Sequence, residues 1–358
     1  MLNLVQIYRA FAVGLVVLFH ASLVTNNRYG VLPVDRLFDV GFAGVHVFFV
    51  LSGFIILTAH YGDVGNPGQI FRYLSRRIIR IYPLYWIVFI VFGGWRVLSG
   101  ALPLYDFVTN AFEFSSKVKQ VITVSWTLRH EVVFYLVFSV LILSARAGFF
   151  VVFLWMALVV YFDDASGTIL NPINLEFAIG MTSALICRRI VSMDSFRRNF
   201  FGISCFVLGI ASFALFVVSA HNNPAVFDKW PTHAVSVYGV GISTAFLLLG
   251  TVSPILEGFA GRQKTALLIG NASYSIYLVH IQFEKIAADF LKSVRWFWDY
   301  NKPNMLCADI IFWVSSFFGL AVGVMVYKLI EKPFVFGYLR RIVDRMVMDS
   351  NPSRITHL

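Results

Sequence analysis

The stretch Val5–Val24, VQIYRAFAVGLVVLFHASLV, decides the class of this protein. Apart from Arg9 and His20 it is almost wholly apolar, and its hydrophobicity runs on continuously instead of alternating as in a half-buried strand. About 20 apolar residues at 1.5 Å each cover the ~30 Å hydrocarbon core of a bilayer. Within lipid, only a helix satisfies all the backbone groups of a single isolated segment. The run starts close to Met1 with no basic leader, and no small-residue cleavage pattern follows His20. It is therefore expected to be a retained span, not a removed signal peptide.

Outward from this stretch the pattern repeats. Further spans are expected at Val40–Ala59, Ile78–Leu98, Ser125–Ala145, Gly148–Phe162, Ile173–Ile186, Phe201–Ala220, Ala234–Val252, Ala266–Phe283 and Leu306–Ile330. The fold class is thus an all-α integral membrane protein, a polytopic bundle of about ten transmembrane helices. The composition agrees: 58% of the 358 residues are hydrophobic and 13% charged, with a mean hydropathy of +0.75. A soluble chain carries about 25% charged residues. Disorder, collagen and disulfide scaffolds are excluded, and the three cysteines, Cys187, Cys205 and Cys307, sit in or beside apolar runs as packing residues.

The net charge of +10 would hint at nucleic acid in a soluble protein, but in a membrane protein its distribution is what counts. Of 29 Lys and Arg, seventeen fall on one side of the alternating topology and ten on the other, with Arg9 and Arg129 in or at the edge of spans. The richer side is expected to be cytoplasmic, which puts both termini there. Residues 1–333 read as one transmembrane domain and 334–358 as a cytoplasmic, amphipathic basic tail containing Arg340, Arg341 and Arg345, suited to an anionic leaflet. No nucleic-acid partner is expected.

Ionisable groups inside spans are costly, so they point to the function. Arg9 and His20, eleven residues apart, return to within about 20° of one helix face and stand about 16 Å apart along it. Arg77 and Arg80, at i and i+3, share a face at the entry to the third span. Guanidinium pairs suit phosphate; the ordinary reading of such a pair is a positive-inside anchor, which fits Arg80 less well because it sits deeper, beside Tyr82 and Pro83. In Ser125–Glu131 the chain re-enters the membrane. Glu131 there either orients an imidazole or forms an ordinary salt bridge with Arg129 or Arg9. His46 and His280 fall at the same outer depth as His20. No metalloprotease spacing, Cys ligand pair, nucleophile elbow or phosphate-binding glycine loop occurs, so neither a metal nor a serine nucleophile is expected.

Six blocks in order carry a resemblance. They are Ile7-Tyr8-Arg9-Ala10 with Leu18-Phe19-His20, Gly44–Phe54, Arg76–Trp86, Ser125–Tyr135, Gly270–His280 and Glu331-Lys332-Pro333. Over nearly its whole length the chain resembles acyltransferase family 3, integral membrane enzymes of the bacterial inner membrane that O-acylate surface polysaccharides and related glycans. The resemblance implies that His20 and Glu131 are catalytic and that Arg9, Arg77 and Arg80 bind the cofactor. Trp126, Tyr277, His280 and His46 are further candidates. At His46 the family often has an acidic residue. The resemblance implies acetyl-CoA as acyl donor and a glycan or lipid-linked saccharide as acceptor. It also implies a stand-alone member with no additional soluble domain. His20 would deprotonate the acceptor hydroxyl or carry the acyl group itself. The rival reading is a transporter or flippase for a lipid-linked saccharide. Such a protein shows repeat symmetry, and none is visible in this sequence.

Overall fold

The computed structural model describes residues 2–112, 120–163, 167–223, 234–294 and 305–349. In chain order the helices are α1 (Asn3–Tyr29), α2 (Ala43–His60), α3 (Ile70–Leu98), the short α4 (Leu104–Ala111), α5 (Trp126–Leu143), α6 (Ala145–Phe162), α7 (Leu175–Ile190), α8 (Ser195–Asn222), α9 (Ala234–Leu249), the short α10 (Pro254–Gly261), α11 (Lys264–Ser293), α12 (Met305–Val326) and α13 (Arg340–Asp349). π-Helical turns over Tyr327–Leu339 join the last two.

Each expected span coincides with a helix. Among the described residues, eight segments are long and apolar enough to cross a membrane; the other two expected spans are α7, of 16 residues, and the more polar 30-residue α11. The lipid-facing character is visible in side chains. Trp95, Leu98, Phe153, Tyr161, Phe196, Phe200 and Phe317 are exposed, an arrangement that water would penalise and acyl chains accept. The chain is a multi-pass, all-α membrane protein.

Two compact units emerge. The first comprises Met1–Ala59, Val159–Ser166 and Leu170–Val324; the second comprises His60–Leu158, Gly167–Ile169 and Met325–Leu358.

In the first unit α1 runs beside α11 in the same direction. A Cβ at Gly270 would run into the carbonyl of Gln6, so glycine there sets the contact distance. The same device couples α2 and α7 reciprocally: a Cβ at Gly53 would meet the Phe177 carbonyl, and one at Gly180 the Val50 carbonyl. The N-terminus of α1 has no side-chain cap of its own. Instead the Glu257 carboxylate, from α10, accepts the backbone N–H groups of Asn3 (2.8 Å) and Leu4 (3.2 Å). Burial pushes that carboxyl up from its ordinary range, against the two backbone bonds that pull it down. Gly30, at φ +69°, ends the helix in the left-handed region and returns its N–H to the Asn26 carbonyl.

In the second unit α3 continues through Pro83, and α13 packs on its early turns. Pro333, which has no N–H to give, falls within the π-helical turns. The tail expected at 334–358 begins as a continuation of this helical segment. Val343 is buried, and Asp344 accepts a 2.6 Å bond from Arg76. Residues 350–358 of the tail lie outside the described residues.

Candidate active site

In the first unit, α1 and α11 bring two imidazoles together. His20 Nδ1 lies 2.9 Å from the Val16 carbonyl and 3.2 Å from His280 Nε2. His280 Nδ1 lies 3.0 Å from the Ile276 carbonyl and 2.9 Å from that of Tyr277. Carbonyl oxygens only accept, so both Nδ1 atoms are assigned the proton in the neutral rings. His280 Nε2 is then an acceptor for the forked Nδ1–H of His20. This arrangement leaves His20 Nε2 as the lone-pair nitrogen. Tyr277, one turn back on α11, packs its ring on His280 at 6.1 Å and edge-on to Phe48 at 6.0 Å.

Arg9 sits three turns earlier on α1, where its guanidinium donates to Ser273 Oγ at 2.7 Å and to Gln6 Oε1 at 3.3 Å. The small residue Ser273 thus anchors a cation as well as allowing close packing. His46 Nδ1 meets Glu176 Oε1 at 2.7 Å, and both side chains are wholly buried. The remaining atoms of that pair, His46 Nε2 and Glu176 Oε2, have no hydrogen-bond partner. The partner of His46 is therefore a carboxylate on α7.

In the second unit Arg77 and Arg80 share a helix face but have different surroundings. Arg80 donates to Glu331 Oε1 at 2.6 Å and lies over the Phe336 ring; Glu331 is fully buried. Arg77 donates to His60 Nε2 at 3.1 Å and lies over the rings of Tyr73 (5.9 Å) and Tyr135 (5.7 Å). Because a guanidinium cannot accept, His60 must donate its Nδ1–H to Asp63 Oδ2, 2.8 Å away. Among the described residues no ion pair neutralises Arg77. Tyr135, one turn along α5, donates its hydroxyl to Glu131.

Trp126 opens α5 and meets His130 edge-on at 5.7 Å. Arg129, between them and Glu131, lines a half-open cavity of about 270 Å³ with Tyr82, Tyr85, Phe112, Leu128 and Thr168 among its walls.

Within their units, then, the structure joins His20 to His280 and Tyr277, and Arg77 through Tyr135 to Glu131. Arg9 is held by Ser273 and His46 by Glu176. Glu176, Tyr135 and His60 were not picked out from sequence. A lone carboxylate in the apolar run of α7 is the signal for Glu176, and the i, i+4 spacing of Glu131 and Tyr135 is the signal for that pair.

Comparisons with known proteins agree with this architecture. The family model described as an acyltransferase domain, that of acyltransferase family 3, matches residues 5–330. The exopolysaccharide production protein ExoZ of Rhizobium meliloti (strain 1021) is 27% identical over 346 residues, covering 91% of this chain and 96% of its own. The acyltransferase MdmB of Streptomyces mycarofaciens is 24% identical over 281 residues, 67% of each chain. No solved structure matches. With the family model covering nearly the whole sequence and a polytopic helical fold beneath it, this chain belongs to acyltransferase family 3 and is a membrane acyltransferase.

Proposed function

We propose that the protein transfers an acetyl group from cytoplasmic acetyl-CoA to a hydroxyl of a glycan or lipid-linked saccharide on the outer side of a bacterial inner membrane. The observation that carries this reading is the tautomer geometry of His20. With Nδ1–H committed to Val16 and His280, Nε2 offers a lone pair to an incoming group. That nitrogen takes the proton of the acceptor hydroxyl as its oxygen attacks the thioester, or itself attacks the thioester and passes the acyl group to the acceptor; in both routes the C–S bond breaks and the CoA thiolate leaves. As positive charge develops on His20, its Nδ1–H bond to His280 Nε2 strengthens and stabilises it.

Arg77 supplies the phosphate contact of the CoA moiety. Its charge is met by π faces and a neutral imidazole, so its guanidinium is available to an anion. Arg80, already paired with Glu331, adds field and holds the turn in place. Arg9, anchored by Ser273, is the anion-binding candidate of the first unit. Glu131 is the candidate carboxylate of the second unit and is held in its rotamer by Tyr135. The name of ExoZ, a protein of exopolysaccharide production, supports a polysaccharide acceptor.

The test is to express the chain in a bacterial host lacking it and compare alkali-labile acetyl esters on surface glycans with and without the protein. A new, protein-dependent ester supports the reading. Unchanged glycans, together with no acetyl-CoA turnover by the membranes, contradict it.

A further inference from the structure

His60 is the last residue of α2, and Asp63 lies in the short turn that follows. Polar side chains at a helix end ordinarily bond the main-chain groups left open there. This pair does not. His60 Nδ1 lies 2.8 Å from Asp63 Oδ2, and His60 Nε2 lies 3.1 Å from Arg77 Nη2 of α3. Both ring nitrogens are thus committed to side chains. The imidazole is buried, while Asp63 stays partly exposed.

Packing fixes the ring between two helices. His60 meets Tyr73 of α3 edge-on at 5.0 Å and Phe138 of α5 at 6.5 Å. Tyr73 is wholly buried and donates its hydroxyl to the Tyr135 carbonyl at 3.2 Å, which ties α3 to α5. Asp63 fixes the tautomer: with Nδ1–H given to the carboxylate, Nε2 carries the lone pair that Arg77 needs. The other tautomer would set two N–H donors against each other at 3.1 Å. Among the described residues His60 is the one hydrogen-bond acceptor that the Arg77 side chain meets, and the buried Arg77 Nε has none. Arg80, three residues on, is held by a carboxylate instead. A carboxylate cancels a guanidinium's charge, whereas a neutral imidazole accepts the bond and leaves the charge in place.

We propose that His60, oriented by Asp63, is a positioning residue for cofactor binding: it holds the Arg77 guanidinium in place through a neutral hydrogen bond and leaves its positive charge for a phosphate of CoA. The proposal rests on the reading of Arg77 as the phosphate contact. The rings of Tyr73 and Tyr135 confine the guanidinium plane but give no direction within it; the bond to His60 supplies that direction. Pre-setting the guanidinium before the anion arrives spares the ordering of a long side chain on binding. His60 therefore acts through Arg77 and touches no reacting atom.

The experiment titrates CoA into the full-length protein in lipid nanodiscs by isothermal calorimetry. His60→Leu should raise the dissociation constant about tenfold, and Asp63→Ala about three- to tenfold. His60→Gln, whose amide oxygen reaches the place of Nε2, should stay within about threefold of wild type, whereas His60→Asn, whose amide reaches only the place of Nδ1, should weaken binding as Leu does. In an Arg77→Ala background His60→Leu should add less than about twofold. Equal weakening by Gln and Leu, or losses at His60 and Arg77 that multiply independently, overturns the positioning role. Should His60→Leu fail to fold, His60→Asn and Asp63→Ala decide, and an unchanged constant in both overturns the proposal. Weakened binding in Arg77→Ala with unchanged binding in His60→Leu overturns the proposal alone. Unchanged binding in Arg77→Ala, or no CoA binding by the wild type, overturns the cofactor reading and the proposal with it.

Discussion

His20 Nδ1 stands 3.2 Å from His280 Nε2, and the Nδ1 of each ring is committed to a main-chain carbonyl of its own helix. The pair therefore has one donor direction and one exposed lone pair. Replacing His280 by Ala removes the acceptor that steadies His20 and its developing charge. The expected result is a fall in transfer rate of about 10²-fold, with the Michaelis constant for acetyl-CoA within about threefold of wild type. His280→Gln, which can still accept a bond, should fall less. Steady-state kinetics on reconstituted membranes check both.

Arg77 and Arg80 should separate by readout. Loss of a charge-assisted contact to phosphate amounts to about 1.5–3 kcal/mol, so Arg77→Ala should raise the Michaelis constant for acetyl-CoA by about 10- to 100-fold at normal expression. An unchanged constant would remove Arg77 from the cofactor site.

Arg80→Gln instead removes the 2.6 Å ion pair to the fully buried Glu331, and the expected cost is about 3 kcal/mol of stability. Adding Glu331→Gln should restore most of it, because the buried charge is gone. A double-mutant cycle on thermal midpoints measures the coupling, and additive losses would show that the pair is not a unit.

The Gly53–Gly180 contact between α2 and α7 admits no side chain on either helix. Gly53→Val should destabilise by several kcal/mol through overpacking and yield aggregated protein. Gly14→Ala, at a position with open space beside it, should be neutral or slightly stabilising. Size-exclusion profiles and thermal midpoints distinguish the two.

Glu257 caps α1 from another helix. Glu257→Ala should cost about 1 kcal/mol, with faster hydrogen exchange confined to the first turn of α1. Uniform exchange along α1 would refute a capping role.

Much of this could be read from sequence for a physical reason. A bilayer demands long apolar helices, and such runs are visible by composition alone; all ten expected spans coincide with helices. Individual polar residues stood out for the same reason, since Arg9, His20, Arg77, Arg80 and Glu131 interrupt apolar runs. Their partners were less legible. Glu176 is 130 positions from His46 and His280 is 260 from His20, and such pairings depend on which helices the chain packs together.

In the proposed reaction His20 performs the transfer chemistry. The most direct test of that role is the incorporation of radiolabelled acetyl from acetyl-CoA into glycan by membranes containing wild-type or His20→Ala protein at matched levels, with protein-free membranes as background. Label is expected in the wild-type sample alone, with CoA binding retained by the variant. Wild-type incorporation by the His20→Ala protein would contradict that role.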